Sequence, residues 1–137
     1  MIKKFLSKNK FNQNDFIKEL LNPLLDSLKL EQMFNELKID INTLSYENDL
    51  LFHICCKKGL VKSVVWLINN GINIEIENIY GQTAIFYAIQ SKNSGTLQIL
   101  VENNINIDHL DKYNRTVLQD AVLSANNRII DYLIQKS

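Results

Sequence analysis

One histidine and two cysteines form the chemically most reactive cluster in this sequence. His53, Cys55 and Cys56 lie close together, and imidazole and thiolate groups are the ligands that soft transition metals prefer. The thiols could also act as nucleophiles if a positive neighbour and a base lowered their pKa. Lys57 and Lys58 follow directly, but on a helix their side chains leave on the solvent side. A metal site and a thiol enzyme are therefore the first hypotheses to weigh.

The rest of the sequence argues against both hypotheses. The chain has two histidines in all, the second being His109, and no group of carboxylates completes a ligand set. Adjacent cysteines on a helix point about 100° apart, so a disulfide between them would be strained. No phosphate-binding loop, G-x-S-x-G or H-E-x-x-H motif is present. We expect no catalytic residue, no metal and no cofactor, and thiols that fill volume in a core.

Composition excludes several broad classes of protein. Hydrophobic residues make up 46% of the 137 residues and charged residues 22%, which is typical of a soluble globular domain. Fifteen basic and fifteen acidic residues cancel, so no general attraction to nucleic acid or to an anionic membrane is expected. No apolar run reaches the roughly 18 residues of a membrane span, and Ser7 to Lys10 interrupt the apolar start. Unpaired thiols then favour the reducing cytoplasm.

The sequence repeats with a period of 33 residues. Cys55, Ala88 and Ala121 share one column, and their small size lets neighbouring units approach closely. Five further columns keep their apolar character: Phe52/Ile85/Leu118, Cys56/Ile89/Val122, Val64/Leu97/Ile130, Leu67/Leu100/Leu133 and Ile68/Val101/Ile134. The period predicts stacked copies of one structural unit.

Each unit contains two short amphipathic helices, because its apolar residues recur at i, i+3 and i+4. Gly59 falls between the two helices of the first unit, where a turn tolerates positive φ. Gly71 and Asn104 follow the second helices, where a left-handed cap residue is expected. A bulky column in the second helices fills the space between stacked pairs, namely Trp66, Ile99 and Tyr132.

Specific motifs within the repeat resemble those of a known family. Residues 81–88, GQTAIFYA, resemble the G-x-T-P-L-H-x-A signature of the ankyrin repeat. In the other two units, His53 occupies the position of the signature histidine and Thr116 occupies that of the signature threonine. Residues 62–74 are similar to the family's E-V-V-K-L-L-L-x-x-G-A-D-V segment. The motif proline is absent throughout, and Lys92 and Ala125 replace the mid-unit glycine. The resemblance implies an all-α ankyrin-repeat solenoid of helix-turn-helix units with short β-hairpin-like fingers, and a loop hydrogen bond for His53.

The organisation predicted on this basis is one domain. Repeats occupy residues 46–78, 79–111 and 112–137, preceded by a degenerate capping unit at 15–45 and a basic lead-in at 1–14. Pro23 falls in the column of Cys56 and would break a helix there, so the capping helices are expected at about 15–22 and 24–37. The lysines of the lead-in, Lys3, Lys4, Lys8 and Lys10, would attract nucleic acid only weakly and in a salt-sensitive manner.

The resemblance also implies a function, the non-catalytic binding of another protein through finger tips and the concave face of the first helices. Four of the chain's five tyrosines fall on these positions, and tyrosine is enriched at interfaces. The predicted partner-binding residues are Tyr46, Glu47, Asp49, Glu77, Ile79, Tyr80, Gln82, Tyr87, Leu110, Lys112, Tyr113, Arg115 and Asp120.

Two alternatives remain open at this stage. Tyr80 and Tyr113 could instead pack against neighbouring fingers and serve only the fold. The protein could be a plain adaptor or a dedicated inhibitor, such as an immunity protein that masks the active site of a toxin or enzyme. In either role we expect a monomer or one component of a hetero-complex.

Overall fold

A computed structural model of the chain describes residues 10–137, so Lys3, Lys4 and Lys8 of the predicted lead-in lie outside the described residues. These residues form eight α-helices, one 3-10 helix and one small hairpin. The helices are α1 (Gln13–Leu20), α2 (Ser27–Leu37), α3 (Leu51–Lys57), α4 (Val61–Asn69), α5 (Ala84–Ala88), α6 (Gly95–Glu102), α7 (Val117–Leu123) and α8 (Asn127–Lys136). The 3-10 helix is Ile41–Thr43, and strands β1 (Ser45–Tyr46) and β2 (Asp49–Leu50) pair antiparallel. The predicted all-α class is confirmed.

The two N-terminal helices begin at different residues from those predicted. The predicted start of α1 at 15 is wrong because Asn12 caps the helix: its side chain accepts from Asp15 N, and the Asp15 carboxylate accepts from Asn12 N. The helix thus starts inside the segment assigned to the lead-in. The predicted start of α2 at 24 is also wrong, because Asp26 caps that helix by accepting two backbone N–H groups. Pro23 lies in the turn between the two helices.

The turn between the two helices of each repeat depends on whether the mid-unit glycine is present. Gly59 has φ of 71° and allows a turn of three residues, 58–60, between α3 and α4. The turn that contains Ala125 is equally short, at residues 124–126. Ala125 has φ of 53°, so a residue with a β-carbon adopts the left-handed conformation that favours glycine. Lys92 does not adopt positive φ; α5 is only five residues long and the loop 89–94 is longer. The left-handed caps predicted at Gly71 and Asn104 are present.

The core follows the apolar columns of the repeat. Leu67, Leu100 and Leu133 are completely or almost completely buried. The stacks also contain polar contacts, because the Ser63 hydroxyl donates to the Leu20 carbonyl and the Thr96 hydroxyl donates to the Cys56 carbonyl at 2.8 Å. Ser63 and Thr96 share one column, so each connects its unit to the preceding one.

Trp66 joins the first repeat to the N-terminal helices. Its ring is 7% exposed and meets the rings of Phe16 and Phe34 edge-on, with centroids 5.7 and 5.2 Å away. Its indole N–H donates to the Glu31 carboxylate at 3.1 Å. The junction therefore combines aromatic packing with a satisfied buried donor.

A polar contact also recurs between the segments that lead into adjacent fingers. The side chain of Asn42 accepts from Asn73 N at 2.8 Å, and the carboxylate of Glu75 accepts from Asn106 N at 2.7 Å. The two acceptors share one column of the repeat and the two donors share another. Each finger is thereby attached to the next at its base.

Candidate functional site

The first finger is the β1–β2 hairpin. Its two turn residues, Glu47 and Asn48, both have positive φ, 50° and 66°, as a tight two-residue hairpin turn requires. Glu47 is exposed at the tip, whereas the neighbouring Tyr46 is half-buried. Within the described residues this is the only finger with strands.

The second finger is built around an asparagine. The side-chain oxygen of Asn78 accepts from the backbone N–H groups of Tyr80 and Gln82, at 2.9 and 3.1 Å. Such a turn, in which an Asn or Asp side chain takes the place of a backbone carbonyl, holds the loop without a strand. Gly81 at its tip has φ of 68° and lies against the third finger: a β-carbon there would come within 2.9 Å of Lys112 N. Tyr80 is 44% exposed.

The third finger has the same construction with an aspartate. Asp111 occupies the column of Asn78, and its carboxylate accepts from Tyr113 N and Arg115 N, both at 2.9 Å. Asn114 has φ of 59° in the position of Gly81, and Tyr113 is 57% exposed. Because the two turns share one geometry, Tyr80 and Tyr113 occupy corresponding places in adjacent fingers.

Side chains from neighbouring units connect the first two fingers. The Tyr87 hydroxyl donates to the Asp49 carboxylate, and the Asn78 amide donates to the Tyr87 oxygen at 2.7 Å and to Asp49 at 3.5 Å. Burial, together with the neighbouring Asp49 carboxylate, raises the pKa of Tyr87. Tyr87 is only 9% exposed, so its hydroxyl serves the fold of the fingers.

The corresponding connection joins the second and third fingers. The Gln82 amide donates to the Asp111 carboxylate at 3.3 Å, and the Arg115 guanidinium pairs with the same carboxylate at 3.1 Å. Burial alone would raise the pKa of Asp111, but hydrogen bonds from Arg115, Gln82 and Tyr113 outweigh burial and lower it. We call this set the bracing network: Asp49, Asn78, Gln82, Tyr87, Asp111 and Arg115.

Each histidine contacts one backbone carbonyl of the second finger, and the two carbonyls are consecutive in the sequence. His53 Nε2 lies 2.8 Å from the Gln82 carbonyl, and His109 Nε2 lies 2.9 Å from the Gly81 carbonyl and 2.8 Å from the Glu77 carboxylate. The hydrogen bond implied for His53 is therefore made to the finger of the next unit. Its Nδ1 is buried and has no hydrogen-bond partner. Burial lowers the pKa of His53 despite the hydrogen bond to Gln82 and the charge of Asp49.

The predicted partner-binding residues divide by exposure. Tyr87 is buried, and five are half-buried: Tyr46, Asp49, Gln82, Arg115 and Asp120. The exposed ones are Glu47, Glu77, Ile79, Tyr80, Leu110, Lys112 and Tyr113. Four of these are large and apolar, and we call them the fingertip patch: Ile79 (79% exposed), Tyr80, Leu110 (53%) and Tyr113.

Two features accompany the fingertip patch. A groove of about 510 Å³ lies between the first and second fingers and is lined by Asp49, Glu77, Ile79 and Tyr80, among others. The Arg115 guanidinium lies 5.1 Å from the centre of the Tyr113 ring, a cation–π contact that orients this tyrosine. The patch thus combines exposed apolar groups with a fixed backbone.

Sequence reasoning missed Asn78, Asp111 and His109, which support the loops. A signal for the first two was available, because both precede an exposed tyrosine by two residues in the same repeat column. No comparable signal marks His109, whose contacts with Gly81 and Glu77 are made about 30 residues away in the sequence.

The cysteines are buried in the core. Burial raises the pKa of Cys55 to about 12 and that of Cys56 well above its ordinary value, so both remain in the thiol form at neutral pH. Among residues 10–137, no three His, Cys, Asp or Glu side chains are placed to hold a metal ion. In the same part of the chain, no helix has the length and apolar character needed to cross a bilayer.

Stacked helical pairs with fingers on one edge define a helical repeat protein. The sequence model described as ankyrin repeats matches three copies, over residues 4–111 and 52–137. The chain therefore belongs to the ankyrin-repeat family, whose members are generally protein–protein interaction modules and are typically non-catalytic. No curated protein matches the chain.

Proposed function

We propose that this chain binds a partner protein through the fingertip patch and the adjoining groove, without catalysing a reaction. The observation that carries the proposal is the contrast within each finger. Tyr80 and Tyr113 are exposed on turns that are held by other residues, so the fold itself does not require aromatic groups there.

The braced backbone favours affinity. Asn78 and Asp111 fix the turns before a partner arrives, so less conformational entropy is lost on binding. A tyrosine side chain adds a large contact area with few rotatable bonds to immobilise. These properties together suit a partner that accepts two aromatic anchors one repeat apart.

Charged residues at the edge of the patch are expected to affect the rate of association. Glu47 and Lys112 are exposed on the first and third fingers, and charges at the rim of an interface mainly steer encounter. Glu77 and Arg115 are less available, because they pair with His109 and Asp111.

The effect of this chain on its partner's activity distinguishes an adaptor from a dedicated inhibitor. An inhibitor or immunity protein would present the same patch to the active-site mouth of an enzyme or toxin, whereas an adaptor would join two proteins that remain active. Affinity capture from the native source identifies the partner, and an assay of the partner's activity with and without this chain separates the two roles.

The test is a binding titration of the captured partner with Tyr80→Ala and Tyr113→Ala. Truncation of a buried interfacial tyrosine costs about 2 kcal/mol, so each variant should lose roughly 30-fold in affinity. The free energy of unfolding should change by at most about 0.5 kcal/mol, as for other exposed positions. Val65→Ala, at an exposed position on α4, is the matched control and should bind as wild type. Unchanged affinity in both tyrosine variants contradicts the proposal, and a large loss of stability would assign both tyrosines to packing.

A further inference from the structure

A cavity with a positively charged lining lies beside the first finger, where the first two repeats meet. Its volume is about 350 Å³, and it lies between the C-terminal end of α3, the loop 89–94 and the tip of the β1–β2 hairpin. Three exposed lysines and one glutamate line it, and we call this site the basic cavity: Glu47, Lys57, Lys58 and Lys92. Three positive charges against one negative charge give the lining a net positive charge.

The long inter-helix loop of the second repeat brings Lys92 to the basic cavity. Asn93 holds this loop, because its side-chain oxygen accepts from Gly95 N at 3.0 Å and its amide lies 3.5 Å from the Gly59 carbonyl. The loop is so close to the preceding turn that a β-carbon on Gly59 would come within 2.6 Å of the Asn93 side chain. The backbone that carries Lys92 is therefore positioned against the first repeat before a ligand binds, which reduces the entropy lost on binding.

Stacking of the repeats does not require lysine at these positions. The columns of the two α3 lysines read Lys57/Gln90/Leu123 and Lys58/Ser91/Ser124. Within residues 10–137, no carboxylate oxygen lies within 4.0 Å of the ammonium group of any of the three lysines of the basic cavity. A cation near the C-terminal end of α3 interacts favourably with the helix dipole, but Lys92 lies in a loop and has no such role. The fold therefore leaves the charge of Lys92 in particular without a structural use.

The groove on the other side of the same hairpin has the opposite charge. Asp49 and Glu77 line the groove between the first and second fingers, and the described residues around it include no lysine or arginine. Glu47 lines the basic cavity, whereas the next two residues, Asn48 and Asp49, line the groove. The hairpin turn thus separates a positive site from a negative one. A partner that covers the first finger meets both.

We propose that the basic cavity receives a short acidic segment of the partner protein, a loop or helix end with two or three Asp or Glu side chains. This proposal rests on the protein-binding function proposed above and adds the charge and the orientation of the partner. The acidic segment lies towards α3 and the loop 89–94, and basic groups of the partner lie towards the groove. Complementary charges of this kind select a partner and fix its register more than they add affinity.

The surroundings of the basic cavity favour a protein over a nucleic acid as the source of the acidic groups. A single strand binds best along a continuous basic track with aromatic side chains on which its bases stack. The described residues that line the basic cavity include no aromatic side chain, and the groove beyond Glu47 is acidic. A long polyanion would be repelled on that side, whereas a short acidic segment ends within the cavity.

An amide-resolved NMR titration of the purified chain with a capped tetraglutamate peptide tests the cavity directly. The signals of Lys57, Lys58 and the loop 89–94 should shift and saturate. Lys92→Gln should weaken peptide binding about two- to five-fold, and Lys57→Gln combined with Lys92→Gln about tenfold. Lys62→Gln, at an exposed lysine on α4 outside the cavity, is the matched control and should bind as wild type. Absence of saturable shifts at the cavity, or equal binding by the double variant, overturns the proposal.

Salt and two further ligands identify the chemistry of the ligand. Raising the salt concentration from about 50 mM to about 300 mM should remove most of the difference between wild type and the double variant, because exposed charges are screened. Inorganic phosphate and a short oligothymidylate should each shift the cavity signals with at least several-fold lower affinity than the peptide. If phosphate binds as tightly as the peptide, the cavity is a simple anion site, and if the oligothymidylate binds more tightly, it is a nucleic-acid site. Either result overturns the proposal.

A titration with the captured partner separates this proposal from the one on which it rests. At low salt the double variant Lys57→Gln, Lys92→Gln should lose about tenfold in affinity, mainly through a slower association. If Tyr80→Ala weakens binding and the double variant does not, the basic cavity has no acidic partner segment and the fingertip patch stands. If the double variant weakens binding and the tyrosine variants do not, the fingertip patch is wrong and the basic cavity stands. A lower melting temperature with unchanged affinity would assign the lysines to the fold and overturn the proposal.

Discussion

The bracing network and the fingertip patch occupy the same two fingers and differ in what they contact. Asn78 and Asp111 each accept two backbone N–H groups, whereas Tyr80 and Tyr113, two residues further along, expose about half of their surface. The repeat places Asn78 and Asp111 in one column and Tyr80 and Tyr113 in another, but it does not show which of the two columns is exposed. Neighbouring finger residues can therefore have separate roles, one stabilising the fold and the other binding the partner. Measuring both stability and affinity on the same variants tests this separation.

The largest effect on stability is expected from Asp111→Ala. The change leaves two backbone N–H groups and the Arg115 guanidinium without their acceptor, which should lower the free energy of unfolding by about 2–4 kcal/mol. Tyr113→Ala, two residues away, should cost at most about 0.5 kcal/mol. Urea denaturation of both variants measures the contrast.

Asp111→Asn sharpens the same comparison. Asn78 shows that an amide oxygen can hold this turn, so the asparagine variant should keep the two backbone hydrogen bonds. It should lose the contacts of the second carboxylate oxygen with Arg115 and Gln82, at a cost of about 1–2 kcal/mol. If Asp111→Ala proves no more harmful than Tyr113→Ala, the network does not brace the fingers.

Tyr87→Phe should have an intermediate effect of about 1–2 kcal/mol. It removes the hydroxyl that donates to Asp49 and accepts from Asn78, while the aromatic ring against His53 remains. Partner affinity should stay at the wild-type value, because Tyr87 is buried. Thermal melting and the binding titration together check this, and an affinity loss without a stability loss would move Tyr87 to the binding surface.

Acid should weaken the second finger through His53. Its folded pKa lies below the ordinary value of 6.5, so the unfolded chain binds more protons as the pH falls past 6.5. The contribution of His53 is complete above that pH and declines below it towards the folded pKa. Urea unfolding at pH 7 and pH 5 should show a decrease in stability that is smaller in His53→Gln. An equal pH dependence in His53→Gln would assign the acid sensitivity to other groups.

The last prediction is a small gain in stability at a position outside both regions. Ala125 holds φ of 53° in the turn before α8, and glycine adopts this conformation without steric cost. Ala125→Gly should raise the free energy of unfolding by about 0.5–1 kcal/mol, with binding unchanged. Ala121→Gly, inside α7, is the opposite control and should destabilise. A loss of stability in Ala125→Gly would show that the turn is not strained.

Much of the fold follows from the period of 33, because each apolar column must be buried against the next unit. The same period placed Tyr80 and Tyr113 in corresponding finger positions. It did not indicate the burial of Tyr87 or the pairing of Arg115, since those contacts depend on which polar groups meet across fingers. The starts of α1 and α2 were also missed, because the capping bonds of Asn12 and Asp26 determine them and periodicity does not.

Trp66 gives this molecule a built-in optical reporter. It is the only tryptophan in the chain, and its indole lies between Phe16, Phe34 and the first repeat. Intrinsic fluorescence therefore records the hydration of one junction, while circular dichroism averages over every helix. If the N-terminal helices detach before the repeats unfold, the fluorescence transition will precede the loss of ellipticity, and no external label is needed to observe it.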